Sequence, residues 1–154
     1  KRLRLEALQE SPLAFGRGYE EESNLDEAFW REKLEKVKRG KTWLFVALED
    51  DSAIGMIGAY RDALLRFHHV VSLAGFYVSP AYRKTGVGKQ LLDHQLEVLK
   101  NDQTVAKVQL YVVDKQEAAR SLYYACRFKD VGVQEKQMCV DGVYYDSILM
   151  EKML

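Results

Sequence analysis

The clearest chemistry in this sequence lies in Arg83-Lys84-Thr85-Gly86-Val87-Gly88-Lys89. An apolar run at 70–78 precedes it and reads as a strand, stopped by Ser79-Pro80. Beyond it, Val87, Leu91, Leu92, Leu96 and Leu99 keep a 3.6-residue period. A strand therefore ends, a glycine loop turns and a helix begins. The first amides of a helix have no intrahelical acceptors and carry partial positive charge. Glycines let a bulky anion approach the backbone, and Arg83, Lys84 and Lys89 add cations. Such a loop suits a diphosphate.

Two other phosphate motifs fail at chemically necessary positions. Gln90 follows Gly88-Lys89 where a Walker loop needs Ser or Thr, and Arg83 stands where its first glycine belongs. Leu91 replaces the third glycine of a dinucleotide fingerprint. A glycine turn that starts a helix and binds nothing is the competing reading. The strand, the cations and the helix around it argue against that reading.

The elements that position this loop are legible from periodicity and breakers. Residues 1–9 read as a helix and 10–23 as a loop broken by Pro12, Gly16 and Gly18. Asn24 is expected to cap a second helix, with Trp30, Leu34 and Val37 at helical spacing and Gly40 at its end. Strands at 42–48 and 53–60 read as an antiparallel hairpin. The strand at 70–78, the loop and helix, and a strand at 105–113 form a βαβ unit, so those two strands are expected to be parallel. A short helix at 118–126 precedes strands at about 128–138 and 143–153, joined by Asp141-Gly142, a hairpin turn signal. The expected class is α/β: a mixed sheet with helices on both faces. Ligands in such sheets tend to sit beyond the carboxyl ends of the parallel strands, here at Tyr77-Val78 and Val112-Val113.

The 154 residues fit one domain spanning 1–154. Lys plus Arg and Asp plus Glu number 23 each, which argues against a dedicated nucleic-acid or membrane-surface binder. No apolar run approaches the roughly 20 residues of a membrane span. Cys126 and Cys139 have no metal or redox spacing, and a cytoplasmic setting follows. His68-His69 suggests no metal, because neighbours on a strand point to opposite faces.

The run 83–88 matches the Gln/Arg-x-x-Gly-x-Gly/Ala signature of the GNAT superfamily of acetyl-CoA-dependent N-acetyltransferases. Val78-Ser79-Pro80-Ala81-Tyr82 resembles that superfamily's lead-in. Ala119, Leu122, Tyr123 and Phe128 resemble its Asn-x-x-Ala-x-x-Leu-Tyr-x-x-x-Gly-Phe segment, with Gln116 in place of the Asn and Arg127 in place of the Gly. Residues 144–150 resemble its last strand, and Leu5-Glu6-Ala7-Leu8, Phe15-Gly16 and 20–22 resemble members acting on small amines or peptides. The resemblance implies an acyl-CoA N-acyltransferase fold whose usual first strand is missing from this chain.

It also implies the site. Arg83, Lys84, Thr85, Gly86, Val87, Gly88 and Lys89 hold the diphosphate of acetyl-CoA, the acetyl donor, with no metal. Phe76, Tyr77 and Val78 pair with the pantetheine arm, as an added strand would. Gln116 and Ala119 border the arm, and Tyr123 resembles the general acid. The acceptor is expected to be an amine, either on a small molecule or on a protein N-terminus or lysine. A sensor that binds acyl-CoA without catalysis stays open, as does a homodimer. An amine must be neutral to attack, and the developing oxyanion needs a donor, for which an N–H near Val78 is the candidate. A tyrosine donating to a thiolate is uphill by roughly 2 kcal/mol, so a hydrogen bond can precede full transfer. Tyr123 as a plain core residue carries equal weight on spacing alone. The strand at 70–78 has no carboxylate; Asp62, His68 and His69 in the preceding connection could reach the cleft, with a solvated loop as the favoured reading for each.

Overall fold

The computed structural model describes residues 1–38 and 42–154. Its helices are α1 (Arg2–Glu10), α2 (Tyr19–Ser23), α3 (Glu27–Lys38), α4 (Val87–Asn101) and α5 (Glu117–Ala125). Its strands are β1 (Thr42–Glu49), β2 (Ser52–Arg61), β3 (Val70–Val78), β4 (Lys107–Val113), β5 (Lys129–Val140) and β6 (Val143–Met153). Gly40, expected to end α3, lies outside the described residues.

The six strands form one sheet in the order β1-β2-β3-β4-β6-β5. β3 and β4 are parallel, as the βαβ pattern requires, and every other neighbouring pair is antiparallel. The α/β class and the mixed sheet expected from the sequence are present.

Alternation along the strands divides the core between two faces. On one, Leu91, Leu92, Leu96 and Leu99 of α4 pack on Ile57, Val71, Val108 and Leu110, with Tyr123 of α5 and Phe128 beside them. On the other, Leu3, Ala7 and Leu8 of α1 pack with Phe15 on Met56 and Tyr77. α4 thus buries the stripe its period predicts, whereas Leu34 in the expected stripe of α3 stays exposed. No described helix is long and apolar enough to cross a membrane.

The N-terminal third departs from the sequence reading. Residues 10–23 are not all loop: a 3-10 turn forms at Pro12–Ala14 and α2 occupies Tyr19–Ser23. Asn24 caps the C-terminal end of α2 and does not start α3. The Phe29 amide instead donates to Asp26 Oδ1 at 2.9 Å, as an N-cap requires.

The reason is a buried charge. Glu22 is fully buried and accepts two bonds from Arg4 of α1, both at 2.9 Å, with Lys33 of α3 at 3.5 Å. One carboxylate thereby ties three helices together, and this tertiary interaction orders a helix too short to show a period. Burial alone would raise the Glu22 carboxyl. The bonds and charge of Arg4, joined by Lys33, outweigh burial and hold it below the usual carboxylate range.

Glu22→Ala leaves Arg4 and Lys33 uncompensated, and is expected to cost about 3 kcal/mol in urea denaturation. Because the folded carboxyl is depressed, its contribution is complete above the unfolded value of about 4.3 and is lost as pH falls through the folded value. Wild-type stability should therefore decline on the acid side more steeply than that of Glu22→Ala.

Candidate active site

The site begins with a defect in β3. Met56 pairs with Tyr77 and Gly58 with Ala74, so Ile57 faces Gly75 and Phe76 together. This is a β-bulge, and Gly75 adopts φ 69°, an angle that a side chain resists. Pairing between β3 and β4 runs only from Val70↔Lys107 to Ser72↔Gln109. Gln109 Nε2 donates to Ser72 Oγ at 3.2 Å at this last rung. Beyond it β3 stays with β2 as far as Val78, and β4 stays with β6 as far as Val113. The sheet opens between its two parallel strands at their carboxyl ends.

The opening exposes backbone. The Ser79 amide donates to the Ile54 carbonyl across β2 at 2.9 Å. Strand alternation then turns the Phe76 and Val78 amides away from β2, toward the gap. A cleft of about 1440 Å³ occupies the opening. Ala74, Gly75 and Phe76 line it from β3, Tyr111 and Val112 from β4, and Gln116, Ala119 and Tyr123 from α5 and its start.

The glycine loop stands at the end of β3. Gly86 caps α4 at φ 96°, and Lys84 also takes a left-handed angle, φ 65°. The first α4 bond is Gln90 N–H to the Gly86 carbonyl at 3.0 Å. Among the described residues, no protein acceptor meets any of the six amides from Lys84 to Lys89. A Cβ on Gly88 would sit 3.4 Å from Phe76 Cζ and 3.5 Å from Val78 Cγ2, so the start of α4 rests directly on the end of β3.

The loop's side chains are largely engaged. Arg83 donates through Nε to the Val78 carbonyl at 3.0 Å, and its guanidinium lies 5.6 Å from the Tyr77 ring. Thr85 Oγ1 donates to the Tyr82 carbonyl at 2.7 Å. Lys89 pairs with Asp93 one turn along α4. Positive potential at the loop therefore comes from the backbone dipoles together with Arg83 and Lys84, while Lys89 is paired with a carboxylate.

Tyr77 and Phe76 go to opposite faces. The Tyr77 hydroxyl donates to Glu6 Oε1 at 3.1 Å, and Ser79 Oγ donates to the same oxygen at 2.6 Å. Burial first, and Glu6 second, push the Tyr77 phenol up to about 12. Phe76 turns toward Tyr123, with ring centroids 6.2 Å apart.

Tyr123 is both core and cleft. Its ring is buried against Phe76 and Phe128, while the residue also lines the opening. Burial alone raises its phenol well above the ordinary value. Among the described residues its hydroxyl has no bonded partner. Tyr124 points elsewhere, donating to Asp130 Oδ2 at 2.7 Å. Arg127, in the position of a helix-ending glycine, takes the left-handed angle that such a glycine would, φ 65°.

Asp62, His68 and His69 lie outside the cleft lining, as do Tyr144 and Tyr145. Trp30 and Trp43 do line it. Sequence reasoning missed Arg17, Tyr111 and Ser147, which line it too. For Tyr111 the usable signal was position, near the end of a strand beside the gap; Ser147 lies mid-strand opposite Val113 and carried none. No group of His, Cys, Asp and Glu among the described residues is arranged to hold a metal ion.

The model of the acetyltransferase (GNAT) family matches residues 5–128. The chain belongs to the GNAT acetyltransferase family. Members transfer acetyl groups from acetyl-CoA. Solved structures share the fold. A ribosomal-protein-alanine N-acetyltransferase from Brucella melitensis matches at 21% identity over 99% of this chain and 91% of its own, with a TM-score of 0.85. The yncA structure from Salmonella typhimurium, which holds its cofactor acetyl-CoA, matches at 15% identity over 99% and 85%, with a TM-score of 0.85. A GNAT-family acetyltransferase from Streptococcus pneumoniae matches at 23% identity over 85% and 79%, with a TM-score of 0.80.

Gly86→Ala forces a side chain into a left-handed angle, at about 1 kcal/mol. Calorimetry is expected to show a roughly tenfold loss of acetyl-CoA affinity, equivalent to about 1.4 kcal/mol. Gly16→Ala, where an added Cβ meets nothing within 4 Å, should leave that affinity unchanged.

Proposed function

We propose that this GNAT protein transfers the acetyl group of acetyl-CoA to a primary amine on a small molecule, by direct attack on the thioester. The observation that carries this reading is the run of six unbonded amides, Lys84 to Lys89, at the mouth of an opened parallel strand pair. Three consecutive features then suit three parts of one elongated ligand. The loop amides suit its diphosphate. The gap-facing amides of Phe76 and Val78 suit the pantetheine arm, which would pair with β3 as an extra strand, with Gln116 and Ala119 across from it. The cleft beyond suits the thioester and the amine.

In the proposed reaction the amine nitrogen forms a bond to the acetyl carbon and the carbon–sulfur bond breaks. The Val78 amide donates to the oxyanion that develops between these events. The Tyr123 hydroxyl donates a hydrogen bond to the departing thiolate. Because burial raises this phenol, it stays protonated throughout the working range and a full proton transfer becomes still more uphill. The proton lost from the nitrogen passes to water. The cleft's lining acids, Glu21 and Asp141, belong to α2 and the β5–β6 turn and not to β3, β4 or α5.

The reading is tested by titrating acetyl-CoA calorimetrically and by following free thiol release with a panel of amines. Failure to bind acetyl-CoA would refute it. Binding with no turnover on any amine would reduce the protein to a sensor. Tyr123→Phe is expected to lower kcat about 100-fold while leaving acetyl-CoA affinity unchanged. The wild-type rate should rise with pH as the acceptor amine loses its proton, with no descending limb from Tyr123 below about pH 10.

A further inference from the structure

The end of the cleft farthest along the N-terminal segment carries an unbalanced charge. The turn Pro12–Ala14 touches β4 and β5, so the segment that follows it crosses the open side of the sheet. That segment presents Arg17 between two glycines, in the same cleft as Phe76 and Tyr123. Arg17 lies 5.7 Å from the Phe29 ring and has no acidic partner among the described residues. Lys33 reaches the same ring at 4.8 Å and the Trp30 ring at 5.1 Å.

Glu22 is already engaged by Arg4 in a two-bond pair and by Lys33 at 3.5 Å, and Glu21 lines the same cleft without pairing to Arg17. Lys33 is held below its ordinary value by burial first, and by the charges of Arg4 and Arg17, against the opposing pull of Glu22. Of the lining cations, Arg4 and Lys33 pair with Glu22 and Lys36 with Glu32, which leaves Lys1 and Arg17 with no carboxylate partner among the described residues. Trp30 lines the same cleft through its ring, while its Nε1 is shut off from solvent.

We infer that the acceptor is an amine carrying its own anionic group, a carboxylate or a phosphate, which docks on Arg17 with Lys33 beside it. This inference deepens the acetyl-transfer reading and rests on it. The anion would neutralise the surplus charge and hold the other end of the molecule, the amine, toward the gap.

The test pairs amines with and without an anion, L-methionine with L-methioninamide and O-phosphoethanolamine with ethanolamine, compared at equal concentrations of the unprotonated amine. Each is titrated into the CoA complex and assayed with acetyl-CoA. At least one anionic member should exceed its neutral partner roughly tenfold in affinity and in kcat/KM. The carboxylate and phosphate arms tell the two anions apart. Arg17→Gln should erase the preference, Arg17→Lys should restore most of it, and both variants should bind acetyl-CoA like the parent. Equal use of charged and neutral partners, or a preference untouched by Arg17→Gln, would overturn the inference. So would binding of no anionic amine at all. Acetyl transfer itself stands or falls separately, on acetyl-CoA binding and thiol release.

Discussion

The structure depends on a parallel strand pair that is allowed to come apart after three rungs. In an ordinary parallel sheet every interior backbone group is spent on a neighbour, and an unpaired buried one costs about 1–3 kcal/mol. Here each of the two strands keeps its outer partner to its end, so the sheet is not weakened as a whole. Only the inner edges of β3 and β4 are released, and they face a wet cleft. The Gly75 bulge bends β3 at the point where pairing has stopped, and α4 packed beneath the end of β3 supports the bent course. The opening is therefore built by covalent geometry and packing, with no need for a moving part.

The same economy governs the electrostatics. A loop meant to seat a diphosphate by side-chain charge alone would hold its cations free. Arg83 and Lys89 are instead committed, one to the Val78 carbonyl and the other to Asp93. What remains are amides fixed by the left-handed turns at Lys84 and Gly86 and by the start of α4. Dipoles fixed in place need no reorganisation when an anion arrives, whereas a lysine must surrender side-chain freedom. Arg83 gains a different role: it ties the loop to the last residue of β3 and so keeps the two halves of the site in register.

Most of this was legible in the sequence because it is written in local patterns. The α4 stripe, the βαβ order and the final hairpin each obey a period or a turn rule within a few residues. β6 falls on the very residues, Val143 to Met153, that alternation assigned. What was not legible depends on contacts between distant residues. A five-residue helix shows no period, and α2 exists because Glu22 meets Arg4 and Lys33. The bulge at Gly75 leaves only a weak mark in the sequence, an isolated glycine in an apolar strand. The tie from Asp26 displaced Asn24 as the start of α3 because two capping residues stood two positions apart, and propensity alone ranks them equally. Arg17 carried no sequence signal; only the path of the chain across the sheet brings it to the cleft.

Tyr123 illustrates how burial limits the chemistry available. A phenol raised by desolvation is a poorer proton source, so in the proposed reaction it helps by remaining neutral and donating a bond to sulfur. The complementary burden then falls on the amine. With no acid on β3, β4 or α5 among the cleft-lining residues, the nucleophile must shed its proton to water before it attacks. A peptide's α-amine, with a pKa near 8, is roughly one-quarter neutral at pH 7.5; a lysine-like amine near 10.4 is neutral only about once in a thousand molecules. That difference of a few hundredfold acts directly on the rate. In the proposed reaction an acceptor with a less basic nitrogen therefore gains rate by that factor, independently of any anion held at Arg17.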